Sequence, residues 1–192
     1  MNDKVNTNEN SDKELLKLVK KEKSFFGEVY KRYYKKIFNY IRRRVKSKSI
    51  CEDLTSEVFE KAYNAIDDFK WQGISISAWL FRIAKNLLTD YYRKSGRIGE
   101  IISLSEIESF LEGNERSLYS DYIKDEEENV LYNTLREFNE KEQYLLYYKF
   151  FEDLTNKEIS KIVGISESNV GTKLYRIRKK LKIILQSNSI FK

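Results

Sequence analysis

Apolar side chains recur every three to four residues along most of the chain, which is the period of an amphipathic helix. In the N-terminal half this spacing predicts a short helix behind a capping box at Ser11–Glu14, a long one after Ser24 and a third over about residues 52–68. A fourth helix is expected to begin at a Ser77 cap. No stretch shows the two-residue alternation of a β-strand.

The fourth predicted helix, residues 79–94, carries two stripes of different character. The apolar stripe, which predicts a buried face, consists of Leu80, Ile83, Ala84, Leu87 and Leu88. The second stripe also has helical spacing and consists of Arg82, Asn86, Thr89 and Arg93. This second face is suited to a polar, anionic partner.

A helix-turn-helix pattern occupies residues 155–181. A short helix behind a capping box at Thr155–Glu158 reaches Gly164, where a tight turn needs a permissive residue, and Ser166 then caps a longer helix. Side chains near the start of such a second helix reach base edges in the major groove, and later cations meet phosphates. The alternative is an ordinary α-hairpin whose basic face is only solvated and does not bind DNA. The outer face of the second helix presents Glu167, Ser168, Asn169, Thr172, Lys173 and Arg176.

Charge is unevenly distributed along the chain. Residues 1–95 hold 21 basic and 13 acidic side chains, residues 96–128 hold 3 and 10, and residues 129–192 hold 12 and 7. The apolar period is lost in the middle segment, which predicts a flexible acidic linker. We therefore expect an all-α chain with two small helical domains, 11–95 and 129–192, behind a polar tail over residues 1–10.

The 192 residues include one cysteine, Cys51, and no histidine. This composition excludes an internal disulfide, a Cys/His metal site and histidine-based catalysis. No apolar run is long enough to span a bilayer and nothing resembles a signal peptide, so we expect a cytoplasmic protein. A nucleic-acid enzyme would need a cluster of carboxylates for metal ions, and Asp67 with Asp68 is a poor candidate. No cofactor, metal or small-molecule substrate is expected.

Two regions of the chain resemble one known family. The strings CEDLTSEVFEKAYNAIDDFK and SAWLFRIAKNLLTDYYRK are similar to region 2 of bacterial RNA polymerase sigma factors. The string FNEKEQYLLYYKFFEDLTNKEISKIVGISESNVGTKLYRIRKKL resembles their region 4. The similarity covers about residues 12–95 and 129–185, and two regions without a middle domain resemble the extracytoplasmic-function group.

The resemblance implies that the chain binds core RNA polymerase. In these factors the helix matching residues 53–65 docks on a coiled coil of the largest polymerase subunit, and the linker threads the active-site cleft and the RNA exit channel. Many relatives are also held inactive by a dedicated anti-sigma factor, often at the membrane. The implied polymerase contacts are Asp53, Ser56, Glu57 and Phe59.

The resemblance also implies two contacts with promoter DNA. Region 2 takes a flipped base of the minus-ten element into a pocket, where Phe69 would lie, and holds the single-stranded non-template strand. The implied minus-ten residues are Phe69, Lys70, Arg82, Lys85, Asn86 and Arg93. Region 4 reads the duplex minus-thirty-five element, and the implied residues are Ser166, Ser168, Asn169, Thr172, Lys173 and Arg176. For Trp79, in contrast, core packing is the expected role.

Four positions depart from the family pattern. Cys51 stands where Ala is common and predicts a buried thiol, and Ser56 replaces a common Gln at the polymerase face. Asn139 replaces a common Pro at a helix start, where it forms a capping box with Glu142. Gly171 stands where Lys is frequent, so we expect it to remove a base-facing side chain.

The leading interpretation is a promoter-specificity subunit without catalytic activity. The alternative is a stand-alone transcriptional regulator that binds duplex operators through the helix-turn-helix. Such a regulator would bind its site without core polymerase, and its acidic segment would have no partner.

Overall fold

The computed structural model describes residues 3–42, 44–95 and 138–187, and these ranges contain helices and turns but no strand. The helices divide into two compact units, one N-terminal and one C-terminal. The predicted all-α class is confirmed. The predicted linker, residues 96–128, lies outside the described residues, so the domain boundaries stay predictions. Within the described ranges no helix is long and apolar enough to cross a membrane.

The core of the N-terminal unit lies where its second, third and fourth helices pack together. The rings of Tyr40 and Phe81 meet edge to face there, with centroids 5.1 Å apart. Full burial of a large apolar side chain stabilises the fold by about 1.5–3 kcal/mol. The buried faces of these three helices therefore fix how the helices pack together. The elements are α1 (Asp3–Lys21), a 3-10 turn (Lys23–Phe25), α2 (Phe26–Arg42), α3 (Lys48–Ala65) and α4 (Ile76–Lys94).

Two helices of this unit begin earlier than the sequence predicts. Helix α1 begins at Asp3, ahead of the predicted cap at Ser11. Residues 3–10, which were expected to form a polar tail, are therefore part of this helix. Once the apolar face of a helix is docked, each further residue adds a backbone hydrogen bond at little cost. Helix α3 begins at Lys48, because the Ser47 hydroxyl accepts a hydrogen bond from the amide of Ile50.

The cap of α4 is Ser75 rather than the predicted Ser77. The Ser75 hydroxyl accepts a hydrogen bond from the amide of Ala78 at 3.2 Å. Ser77 is itself buried in the first turn, beside the buried side chains of Ile76 and Ala78. The helix must include these apolar residues to bury them, so the serine that precedes them becomes the cap.

The C-terminal unit contains α5 (Glu140–Leu146), a π-helical segment (Tyr147–Phe151), α6 (Asn156–Val163) and α7 (Glu167–Ser187). The sequence predicts one regular helix through Phe151, whereas in the structure its last residues, Tyr147–Phe151, form a wider π-helical turn. The rings of Tyr147 and Phe151 stack at 5.9 Å, and Tyr148 is fully buried. The amide of Leu154 donates to the carbonyl of Tyr148, which closes the chain after the segment.

Both predicted capping boxes in this unit are confirmed. The Asn139 side chain accepts from the amide of Glu142 at 3.1 Å, and the Glu142 carboxylate accepts from the amide of Asn139 at 3.0 Å. Thr155 and Glu158 exchange the same two bonds at the start of α6, at 3.2 and 2.9 Å. Each box satisfies two backbone N–H groups that a helix start leaves without a partner.

The connection between α6 and α7 also has the predicted form. Gly164 has φ of +78°, a conformation that only glycine adopts without strain. The Ser166 hydroxyl accepts from the amide of Asn169 at 3.2 Å and caps α7. Among the described side chains of the two helices, the buried apolar ones are Ile159, Ile162, Val170, Leu174 and Ile177.

Candidate functional site

A concave surface lies where the loop after α3 meets the start of α4. The ring of the half-buried Phe69 packs on that of Trp79, with centroids 4.6 Å apart. Trp79 is half-buried beside the predicted base-binding residue, so the expectation that it packs within the core is not met. Aromatic rings next to cations are suited to stacking with bases and binding phosphates. Within the N-terminal unit this surface is also lined by Ala65, Asp68, Lys70, Gln72, Ile74, Ala78 and Arg82.

The predicted polar face of α4 continues from this surface. Arg82 and Asn86 are exposed one turn apart, and Lys85 is half-buried between them. Burial, followed by the nearby Arg82 charge, lowers the pKa of Lys85. Arg93 is exposed at the end of the helix and forms an ion pair with Asp90 at 3.0 Å. The structure thus brings the predicted α4 residues onto one solvent-facing side.

Helix α4 is held from its other side by buried contacts. The hydroxyl of Tyr92 donates to the backbone carbonyl of Arg44. The guanidinium of Arg44, itself buried, lies 3.6 Å from the centre of the Tyr40 ring. These contacts fix the end of α4 against the end of α2. The apolar stripe is buried at Leu80, Ala84, Leu87 and Leu88, with Phe81 beside it.

The predicted polymerase residues on α3 divide into two groups. Asp53 and Ser56 are exposed, and the partly exposed Glu57 forms an ion pair with Lys61 at 3.3 Å. Phe59 is only 4% exposed, and its ring packs on that of Tyr30 at 4.8 Å. The position of Phe59 in the core therefore conflicts with the polymerase contact that the resemblance implies. Its three-residue spacing from the apolar Ala62 is the sequence signal for burial.

A cluster at the end of α3 was not found from the sequence. Lys20 donates to the backbone carbonyl of Asp67 at 2.8 Å, and Lys23 forms an ion pair with the Asp67 carboxylate at 2.8 Å. The Lys23 ammonium also lies 5.2 Å from the centre of the Tyr63 ring. The hydrogen bond to Asp67 raises the pKa of Lys23. The cluster lies directly before the loop that carries Phe69.

The predicted DNA-reading residues of α7 are exposed together. Ser168, Asn169 and Thr172 lie in its first turns, and Lys173 and Arg176 follow on the same outer side. Two hydroxyls are engaged within the protein: Ser166 accepts the capping bond, and Thr172 donates to the carbonyl of Ser168 at 3.0 Å. The side-chain amide of Asn169 and the two cations are exposed to solvent.

Gly171 does not occupy the base-facing position that was expected. A Cβ atom built on Gly171 would lie 3.5 Å from the side-chain nitrogen of Asn156, at the start of α6. A side chain at this position would thus point toward α6. The expected loss of a base contact at Gly171 is not supported by this direction.

Both units match family models. The model of sigma-70 region 2 matches residues 29–98, and the model of sigma-70 region 4 matches residues 128–181. The first match includes the concave surface and the polar face of α4, and the second includes α6 and most of α7.

Individual relatives agree with these matches. The chain is 31% identical to the RNA polymerase sigma factor YlaC of Bacillus subtilis, over 84% of this chain and 92% of that protein. It is 30% identical to the ECF RNA polymerase sigma factor BldN of Streptomyces coelicolor, over 85% of this chain but 61% of BldN. The solved sigma factor RpoE in complex with the anti-sigma factor NepR, from Bartonella quintana, shares the fold, with a TM-score of 0.56 at 16% identity, over 85% of this chain and 98% of that one. The chain therefore belongs to the sigma-70 family and is an RNA polymerase sigma factor of the extracytoplasmic-function group.

Proposed function

We propose that this sigma factor binds core RNA polymerase, recognises a promoter with both of its units and opens the minus-ten element. The observation that carries the proposal is the Phe69–Trp79 ring pair beside the exposed face of α4. A base flipped out of the non-template strand would stack at Phe69, and Asn86 would hydrogen-bond a base edge. The cations Lys70, Arg82, Lys85 and Arg93 would follow the phosphates of the separated strand.

Helix α7 would enter the major groove of the minus-thirty-five element. Asn169 and Thr172 would reach base edges, and Lys173 and Arg176 would approach phosphates. The Ser166 oxygen accepts the capping bond, so its hydroxyl hydrogen remains available to a phosphate. The exposed first turns of α7 and its outer cations support this assignment.

Polymerase binding would use the outer side of α3, where Asp53, Ser56 and Glu57 lie. Phe59 would support this surface from the core. The RpoE relative is solved with an anti-sigma factor, and we extend that kind of partner to this chain. The protein would act in the cytoplasm, without a cofactor and without catalysing a reaction itself.

In vitro transcription on fragmented genomic DNA tests the proposal. Purified core polymerase should initiate at new start sites when this protein is added. Unchanged start sites would contradict the proposal. Tight binding to duplex fragments without core polymerase would then favour the stand-alone regulator.

A further inference from the structure

We propose that Lys20 and Lys23 are positioning residues for the loop that binds the flipped base. They hold Asp67 from its backbone and from its side chain, and Asp67 lies two residues before Phe69. This inference rests on the proposed role of Phe69. It adds a second set of residues, at the N-terminal end of the chain, that determines where the Phe69 ring lies.

The turn after α3 transmits the position of Asp67 to Phe69. The amide of Phe69 donates to the carbonyl of Ile66 at 3.2 Å, so the backbone from residue 66 to residue 69 is closed into one turn. A carbonyl just past the end of a helix has no donor within the helix, and a lysine ammonium can satisfy it. Lys20 fills this role for the carbonyl of Asp67, and a shift of Asp67 must move the turn.

The two lysines are themselves held in place. The Lys23 side chain is 41% exposed and contacts both the Asp67 carboxylate and the Tyr63 ring, which packs edge to face on Phe26 at 5.3 Å. Lys20 belongs to α1, whose Asp12 is buried and receives a hydrogen bond from Tyr33 of α2. An isolated exposed ion pair contributes little because two flexible side chains must be ordered. Here Lys20 and Lys23 both contact Asp67, and the helix and the turn that carry them are held in place by other contacts.

These lysines lie outside the segment that the family model describes. The match to sigma-70 region 2 begins at residue 29, after α1 and after the 3-10 turn that carries Lys23. The base-binding loop is thus held by a segment upstream of the matched region. The length and charge of this segment would therefore affect the position of Phe69.

The test is the affinity of the assembled holoenzyme for a single-stranded minus-ten oligonucleotide. The double variant Lys20→Gln/Lys23→Gln should bind it about threefold to tenfold more weakly. Lys23→Arg should retain parental affinity, because the guanidinium keeps the ion pair. Lys31→Gln is the matched control, because Lys31 forms a 2.9 Å ion pair with Glu28 on the exposed surface of α2. It should leave the affinity unchanged.

Asp67→Asn separates positioning from simple attraction of DNA by positive charge. This variant removes a negative charge, so a purely electrostatic effect would strengthen binding of the oligonucleotide. Loss of the contact between Lys23 and the Asp67 carboxylate would instead weaken binding of the oligonucleotide. Parental or stronger binding by Asp67→Asn would overturn the inference. Phe69→Ala is measured beside it: parental binding by Phe69→Ala contradicts the proposed base site, whereas weakened Phe69→Ala with parental Asp67→Asn contradicts only the positioning role of Lys20 and Lys23.

Discussion

The phenol of Tyr33 donates a 2.5 Å hydrogen bond to the carboxylate of Asp12 and thereby joins α2 to α1. Asp12 is 4% exposed, and Arg32 reaches the same oxygen at 3.1 Å. A buried carboxylate is tolerated only when partners of this kind replace its hydration. Asp12 is therefore the polar anchor of a helix in which Leu15, Leu16 and Val19 are also buried.

Tyr33→Phe should lower the free energy of unfolding by about 1–3 kcal/mol, because it leaves a buried carboxylate oxygen with one partner fewer. Urea denaturation followed by circular dichroism measures the change. Tyr30→Phe is the control, since the Tyr30 side chain is 41% exposed. If both variants unfold at the parental midpoint, the bond to Asp12 does not contribute to stability.

Phe69→Ala and Asn86→Ala should each reduce transcription from a closed duplex by about tenfold. Stacking of one base on an aromatic ring contributes about 1–3 kcal/mol, and 1.4 kcal/mol is a factor of ten. A template with its minus-ten region already mismatched should recover the part of the defect that comes from strand opening. Permanganate footprinting reports unpaired thymines directly. Parental opening rates with unchanged core affinity would make residues 69–93 structural only.

Arg176→Ala should weaken binding to the minus-thirty-five duplex and reduce its salt dependence by about one unit of logarithmic slope, provided that one phosphate contact is lost. Lys173→Ala should also shift the preferred bases. Lys141→Ala, an exposed cation on α5, serves as the control. Parental slopes for both α7 variants would place the DNA-binding face elsewhere.

Gly171→Ala should stabilise the C-terminal unit by about 0.5–1 kcal/mol, because alanine loses less backbone entropy than glycine in a helix. The added Cβ would make an ordinary contact with Asn156 at 3.5 Å. Thermal unfolding measures the gain. Gly27→Ala in α2, where a Cβ meets nothing within 4 Å, reports the helix preference alone. A lower unfolding temperature for Gly171→Ala would mean that α6 and α7 lack room for the methyl group.

Cys51 should react slowly with thiol reagents in the folded protein. Burial raises the pKa of its thiol to about 11, and the thiolate is the reactive form. Because the folded pKa is raised, the stability that this group contributes is complete below its unfolded pKa, near 9, and is lost as the pH rises toward 11. Cys51→Ala should remove this loss from a pH series of urea denaturation. Equal labelling rates in native buffer and in urea would contradict the burial of the thiol.

Local signals were predicted well from the sequence because each depends on residues a few positions apart. The boxes at Asn139 and Thr155 and the turn at Gly164 are of this kind. The cap of α4 was misassigned because Ser75 and Ser77 are chemically equivalent. Only the burial of Ile76 decides between them, and burial is a property of the whole unit.

The residues of the candidate site divide in the same way, into those that local spacing predicts and those that depend on the folded unit. Helical spacing alone indicated that Arg82 and Asn86 share an exposed face. The contact of Lys20 with Asp67 spans 47 residues, and no local pattern encodes such a pair. Phe59 was assigned from the resemblance, although its packing on Tyr30 joins two helices and becomes visible only in the folded unit.

The buried stripe of Val170, Leu174 and Ile177 fixes the rotation of α7 about its own axis. An α-helix turns about 100° per residue, so one residue inserted within the first turns of α7 would rotate the DNA-facing side chains ahead of it by about 100° relative to this stripe. Replacement of Asn169 or Thr172 would instead change a single contact and leave the helix in phase. New promoter preferences are therefore open to this chain by substitution on α7, whereas an insertion in its first turns would put the DNA-facing residues out of phase with one another.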